Sequence, residues 1–373
     1  MTSWRFPRLL VLAVVLVVAF GGAASASEGA RTPELEFLGQ EIFPTGFTFG
    51  GTQVGGLSGI AYDERRNVFY SLSDDPSQFD PARFYTLRVE LSDGRLDPGD
   101  VRFLDVTTLK GTDGQPFAPF SLDPEGIALT KDDQLVITSE GFANSLIPPF
   151  VRLFDLDGAT VGALPVPEPF LPNAAHTRGV RQNLAFESAG VPPNGRFLFT
   201  GTEGALVQDG PAASLTGGSP ARLLRYNLQT ERPDRQYLYM TDPIAELPLP
   251  PGAFAVSGLV ELLPLNNEFL LAMERSFSVG APGTGNTIKL YRVALPGADD
   301  VSRLGSLAGE LGDIRAAEKT LLLDLDALGL PLDNVEGMAF GPALPDGRRS
   351  LLLVSDNNFS AAAFTQFLLF AVN

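Results

Sequence analysis

The sequence predicts an all-β chain folded as a β-propeller, and three observations predict it. Five segments repeat one layout: a short strand opening near a Gly and often an acid, a turn, a strongly apolar strand ending in an acid, a loop, and a third alternating strand. The runs are short and punctuated by Gly, Pro and Asp, with 39 Gly and 30 Pro in the chain. No stretch sustains an amphipathic helical period, and only residues 304–318 read as one short helix. Such a unit cannot bury both faces of its own sheet, so neighbours must cover them, and ring closure removes the exposed edges.

The first unit reads Gly56-Leu57-Ser58-Gly59-Ile60-Ala61-Tyr62, then 68–71 running into Ser73-Asp74-Asp75, then 84–89. The second has Asp123-Pro124-Glu125-Gly126-Ile127, then 135–138 ending in Ser139-Glu140-Gly141, then 151–156. The third has Asn183-Leu184-Ala185-Phe186-Glu187, 197–200 ending in Thr202-Glu203-Gly204, and 223–228. The fourth has Val256-Ser257-Gly258-Leu259-Val260, 269–272 ending in Met273-Glu274-Arg275, and 288–294. The fifth has Asn334-Val335-Glu336-Gly337-Met338, 351–354 ending in Ser355-Asp356-Asn357, and 366–372. Fourth strands are expected at 101–107, 164–166, 237–240 and 320–325. The last unit lacks one, and residues 35–42 are the natural candidate to supply it and close the ring. Unit spacing exceeds the ~40–45 residues of a compact propeller repeat. Long insertions rich in Pro or Gly (108–121, 142–150, 165–181, 208–220, 241–253, 281–286) explain that, and a sixth blade without its signature is the alternative.

Composition excludes several chemistries. The 373 residues include no Cys and one His, His176, so disulfides, thiolate catalysis, Cys-ligated zinc and multi-His metal sites are ruled out. Lys plus Arg number 27 against 44 Asp plus Glu, a net charge of −17, which argues against a basic nucleic-acid face. Arg5 and Arg8, an apolar run over 9–20 and Ala24-Ser25-Ala26 read as an export signal, with an uncleaved membrane anchor as the alternative; cleavage leaves 27–373 as one domain expected in the periplasm or outside the cell, with no stable membrane insertion. His176 sits in a polar loop and reads as solvated. Gly280 to Thr287 has P-loop spacing with Asn286 where Lys is required. Asp155-Leu156-Asp157-Gly158 lacks the rest of a calcium loop and reads as a hairpin turn.

In a propeller, equivalent strand ends converge on one mouth of the central channel. Glu125, Glu187 and Glu336 occupy one equivalent position, with Ser58 and Ser257 in the other units, and are the candidate catalytic residues. Asp74, Glu140, Glu203, Glu274 and Asp356 occupy a second position in all five units and are the candidate metal ligands. Crowded carboxylates raise one another's pKa unless a cation neutralises them, and calcium, with 6 to 8 oxygen ligands, suits a chain without Cys. The alternative for each acid is a backbone cap or a salt bridge to the next blade. Arg178, Arg181 and Arg275 stand beside the acid motifs and are candidates for bidentate binding of a substrate phosphate or carboxylate, or for inter-blade pairing.

The ordered series Asp-Pro-Glu-Gly (123–126), Ser-Glu-Gly (139–141), Arg-x-Asn-x-x-Phe-Glu (181–187), Thr-Glu-Gly (202–204), Glu-Arg-Ser (274–276), Asn-Val-Glu-Gly (334–337) and Ser-Asp-Asn-Asn-Phe (355–359) resembles the phytase-like domain family, also described as "esterase-like activity of phytase". The resemblance runs from about residue 35 to 373. It departs at Ala185 and Ser188, where Gly is expected around Asn-x-x-Phe-Glu. It implies an exported propeller acting on phosphate or carboxyl esters. The first expectation is therefore a calcium-dependent phosphoric-ester hydrolase, a monomer with a small-molecule substrate. The other is a non-catalytic binding propeller whose carboxylates and calcium serve structure.

Overall fold

The computed structural model of the chain describes residues 33–373; the export signal expected at 1–26 lies outside them. Strand β1 (Leu35–Pro44) and a small hairpin, β2 (Thr48–Phe49) and β3 (Thr52–Gln53), precede the first repeat. Blade 1 comprises β4 (Leu57–Asp63), β5 (Val68–Ser73), β6 (Arg83–Val89) and β7 (Val101–Thr108). Blade 2 comprises β8 (Pro124–Leu129), β9 (Leu135–Ser139), β10 (Phe150–Phe154) and β11 (Thr160–Leu164). Blade 3 holds β12 (Phe197–Ala205), β13 (Pro220–Asn227) and β14 (Arg232–Met240). Blade 4 holds β15 (Ala255–Pro264), β16 (Phe269–Ser278), β17 (Asn286–Ala294) and β18 (Glu318–Asp324). Blade 5 holds β19 (Asn334–Ala343), β20 (Arg349–Asp356) and β21 (Phe364–Val372).

Each sheet is antiparallel, and five blades form the ring. Closure follows the sequence expectation: β1 pairs antiparallel with β21, from Leu35 opposite Val372 to Pro44 opposite Phe364. A strand from the start of the described chain therefore completes the last blade, and the two ends of the ring are zipped by backbone hydrogen bonds. The long unit spacing resolves into insertions, not a sixth blade.

Period-two alternation gives the inner strands two buried faces, one toward each neighbouring blade. In β16, Leu270 and Ala272 pack toward blade 3 with Phe199, Leu223 and Tyr239, whereas Leu271 and Met273 pack toward blade 5 with Leu351, Leu353 and Phe370. The same logic yields an apolar core at each of the five blade interfaces.

Three local expectations are corrected. Residues 304–318 form turns rather than a helix; Gly305, Gly309 and Gly312 interrupt them, and the apolar signal comes from Leu307, buried against Val301 and Leu238 of β14. The fourth strand expected at 164–166 ends at Leu164, because the turn at Asp155 to Gly158 returns the chain directly into β11. The first strand of the third repeat is no continuous ladder: it touches β12 through two bridges, Phe186 with Thr202 and Gly190 with Phe199.

Candidate active site

The innermost strand of each blade starts, and the second strand ends, at the same rim of the channel. At that rim four innermost strands carry a β-bulge, between Leu57 and Gly59, Pro124 and Ile127, Leu259 and Glu261, and Val335 and Gly337. A bulge sets two residues against one and re-aims a side chain. The residues it displaces include Ser58, Glu125 and Glu336, three of the positions equated from the repeats. Small residues let the acids close in: a Cβ on Gly258 would lie 2.2 Å from Glu203 Cγ, and one on Gly56, whose φ is +64°, would lie 2.0 Å from Asp74 Oδ1.

Two carboxylate groups result. Asp123, Glu125 and Glu140 each offer an oxygen within 4.8 Å of the others, as do Glu140, Glu187 and Glu203, so Glu140 joins both sets. Glu125, Glu140, Glu187 and Glu203 are all less than a tenth exposed. The Ala185 amide donates to Glu140, and Glu140 and Glu187 are hydrogen-bonded through their carboxyls. Asp74 and Asp356 extend the cluster across blades 1 and 5. Asp356 accepts from the Asn358 amide at 2.6 Å and from Asn334 Nδ2 at 3.3 Å.

Burial is the largest influence on these acids and crowding adds to it. Glu140 is pushed up to about 8 and Glu203 to about 7; burial leads in both, with the Glu203 charge adding at Glu140 and the Glu336 charge at Glu203, where Arg275 opposes the rise. Asp123 rises to about 7 through burial, and Asp356 to about 8 through burial and then Glu336. Asp74, Glu125 and Glu187 are driven well above the carboxylate range, first by burial and then by their neighbours: Asp356 for Asp74, Asp74 for Glu125, and Glu140 for Glu187. Without a cation, much of this cluster holds protons at neutral pH.

Arg275 is the cation built into it. Its guanidinium donates to Glu336 Oε1 at 2.8 Å and lies 3.5 Å from Glu203 Oε1, which accepts no hydrogen bond. Although burial opposes it, the Glu203 and Glu336 charges raise its pKa.

Glu274 does not join the cluster. It is one residue from Arg275 along β16, so its side chain points to the opposite face, toward blade 3. There its carboxylate accepts from Tyr239 Oη at 2.6 Å, the Asp242 amide at 2.7 Å and Lys319 Nζ at 2.5 Å. In the fourth blade it is Arg275 that faces the other acids. Arg178 is half-buried and pairs with Glu168, while Arg181 donates to the Ala205 and Gly210 carbonyls, so neither reaches the carboxylates. His176 is exposed in its loop.

Sequence reasoning missed Asp123, although the Asp-Pro-Glu-Gly motif contains it. It also missed the fully buried Asp75–Arg83 pair, 2.8 Å apart, which the exposed-looking run Ser-Asp-Asp-Pro concealed.

Fold and site together define a five-bladed β-propeller with a carboxylate-lined channel mouth. The chain belongs to the Phytase-like family, described as "Esterase-like activity of phytase", whose model matches residues 52–359. Family and fold suggest an esterase- or phosphatase-like propeller. No curated protein matches the chain. Among solved structures it is similar to an endo-arabinase from Bacteroides thetaiotaomicron VPI-5482 at 10% identity and a TM-score of 0.43, covering 90% of this chain and 96% of that one. It is also similar to a protein of unknown function from Dyadobacter fermentans DSM 18053, at 10% identity and a TM-score of 0.38, covering 91% and 99%. Both likenesses are too distant to bear on function.

Proposed function

We propose that this chain is an exported, calcium-dependent hydrolase of phosphoric esters whose active site is the acidic channel mouth. One observation carries the reading: two buried carboxylate groups share Glu140, and beside it Glu203 Oε1 accepts no hydrogen bond. Buried acids at this density are costly as anions unless a cation compensates them. The donor set is all oxygen, which fits a hard cation such as calcium. Glu140 would hold it, together with Asp123 of the first carboxylate group or Glu203 of the second, with Asp74 and Asp356 the further acids of the rim. Calcium bound there would supply polarisation of a phosphoryl oxygen and acidification of water.

The remaining groups have roles of their own. Glu125 and Glu187, each within 4.8 Å of Glu140, are placed to accept the proton of an attacking water. As water adds to phosphorus, the bond to the leaving alkoxide breaks and that oxygen takes the proton that Glu125 or Glu187 accepted from the water. Arg275 offers a planar donor fork toward phosphoryl oxygens, and Glu336 fixes its orientation. Export rests on the signal pattern at residues 1–26. Among the described residues no helix is long and apolar enough to cross a membrane.

The test is hydrolysis of phytate, p-nitrophenyl phosphate and p-nitrophenyl acetate by the purified chain, with calcium and with chelator. Turnover that needs calcium and disappears in Glu125→Gln at an unchanged melting temperature supports the proposal. No turnover on any ester, with chelator only lowering the melting temperature, would leave a binding propeller with structural calcium.

A further inference from the structure

The acidic rim is also the apolar rim. Among the described residues, eight of the thirteen large hydrophobic side chains left exposed lie in the loops at the acid-bearing end, including Phe79, Phe120, Leu146, Leu247 and Phe254. The other five, among them Leu104 and Leu321, sit one per blade on the outermost strands. Among the described residues, the loops of the opposite end carry none. Scattered exposed apolar residues need no explanation, but their concentration around one opening does.

The grouping is closest on blades 5, 1 and 2. Phe79 stacks on Phe359 with centroids 4.5 Å apart and planes 28° from parallel. That pair adjoins the carboxylates directly: a Cβ on Gly56 would touch both Asp74 Oδ1, at 2.0 Å, and the Phe359 ring, at 3.0 Å. On the other side of the same loop, the Phe120 amide donates to the Pro76 carbonyl at 2.8 Å, and the Phe120 ring meets Phe142 edge-on at 6.0 Å. Phe142 follows Glu140 by two residues.

The backbone is strained to hold this arrangement. Three bulky apolar residues adopt positive φ, Phe120 at 58°, Leu146 at 59° and Phe359 at 51°, and all three lie at the acid-bearing end. The loop bearing Phe79 is fastened from below: the buried Asp75 carboxylate accepts the amides of Gln78, Phe79 and Asp80 at 2.6, 3.1 and 2.8 Å and pairs with Arg83. An exposed ring on a loop fixed by a buried ion pair is a preformed surface, not a flexible tip.

We infer that the substrate is an amphiphilic phosphate monoester, with its phosphate at the carboxylates and an aryl or alkyl group lying on the Phe79–Phe359 stack. This rests on the hydrolase reading and narrows it. The chain's charge of −17 points the same way, because a ligand with one anionic group and an apolar remainder meets less repulsion than a polyphosphorylated one.

Paired probes separate this inference from the reading beneath it. With calcium present, binding of phenylphosphonate and methylphosphonate is measured by calorimetry, alongside KM for phenyl phosphate and methyl phosphate. The inference predicts that the phenyl member binds about tenfold or more tightly, that Phe79→Ala removes most of this preference while sparing the methyl compounds, and that Leu321→Ala, on an outer strand, changes neither. Phenylphosphonate preference without turnover of either ester keeps the aryl-binding surface and rejects the hydrolase reading. Equal KM values for the two phosphates keep the hydrolase and overturn the inference. Adsorption to phosphatidylcholine vesicles that depends on Phe79, with no phenyl preference, assigns the rim to a lipid bilayer and overturns it too.

Discussion

Stripped of divalent cations, the protein should lose stability as pH rises from about 5 to about 8.5, opposite to ordinary acid denaturation. The reason is the direction of the shifts in the carboxylate cluster. A carboxyl whose pKa is higher folded than unfolded binds more protons in the folded state across the interval between the two values. Its stabilising contribution is complete below the unfolded pKa and is lost as pH climbs through the folded one. Glu140 alone, pushed up to about 8, covers about three pH units of this interval, which at about 1.4 kcal/mol per unit is on the order of 4 kcal/mol. With unfolding entropy near 2.1 cal/mol/K per residue over roughly 340 residues, that corresponds to a fall of about 6 °C in melting temperature. The assay is thermal unfolding at pH 5 and 8.5 in chelator and in millimolar calcium. Calcium should abolish most of the fall by replacing protons as the neutralising charge, and Glu140→Gln should flatten the chelator curve. A melting temperature in chelator that stays level or rises over this interval refutes the electrostatic argument.

Further outcomes follow from other contacts. Arg275→Leu leaves Glu203 and Glu336 buried and facing each other, and should cost about 3–5 kcal/mol by denaturant titration in chelator, with less lost in calcium. Arg83→Met strands the buried Asp75 and should cost a similar amount, whereas Asp75→Asn with Arg83→Met should recover a large part of it. Met273→Ala opens the interface between blades 4 and 5 and should cost about 2–5 kcal/mol by denaturant titration. Removing the described residues through Pro44 exposes the edge of β21; size-exclusion chromatography should show aggregates that the intact protein does not form.

What could be read from the sequence follows from the period of each signal. Blade repeats and ring closure were legible because apolar alternation and turn residues are local, and because a fifth unit with three strands needed a partner for β21. The positions of Glu125, Glu140, Glu187, Glu203 and Glu336 were legible because equivalent strand ends must meet at one rim. Glu274 was misplaced because a strand's facing flips at every residue, and Met273-Glu274-Arg275 does not show which of the two charged residues continues the inward face. Only the packing of Leu271 and Met273 toward blade 5 settles it. Arg178 and Arg181 precede Glu187 closely in sequence, yet one pairs with Glu168 and the other with loop carbonyls, contacts that depend on how a long insertion folds back. The aromatic rim was illegible, since Phe79, Phe120 and Phe359 belong to three separate loops that only ring closure brings to one end.

Calorimetric titration of the metal-free chain with calcium decides whether the acidic mouth holds a divalent cation. Saturable binding with proton release at pH 7 is expected, weakened at least tenfold in Glu140→Gln, where the substituted residue belongs to both carboxylate groups, and unchanged in Glu274→Gln, where it lies outside them. Absence of calcium binding, or binding that Glu140→Gln leaves intact, would contradict it.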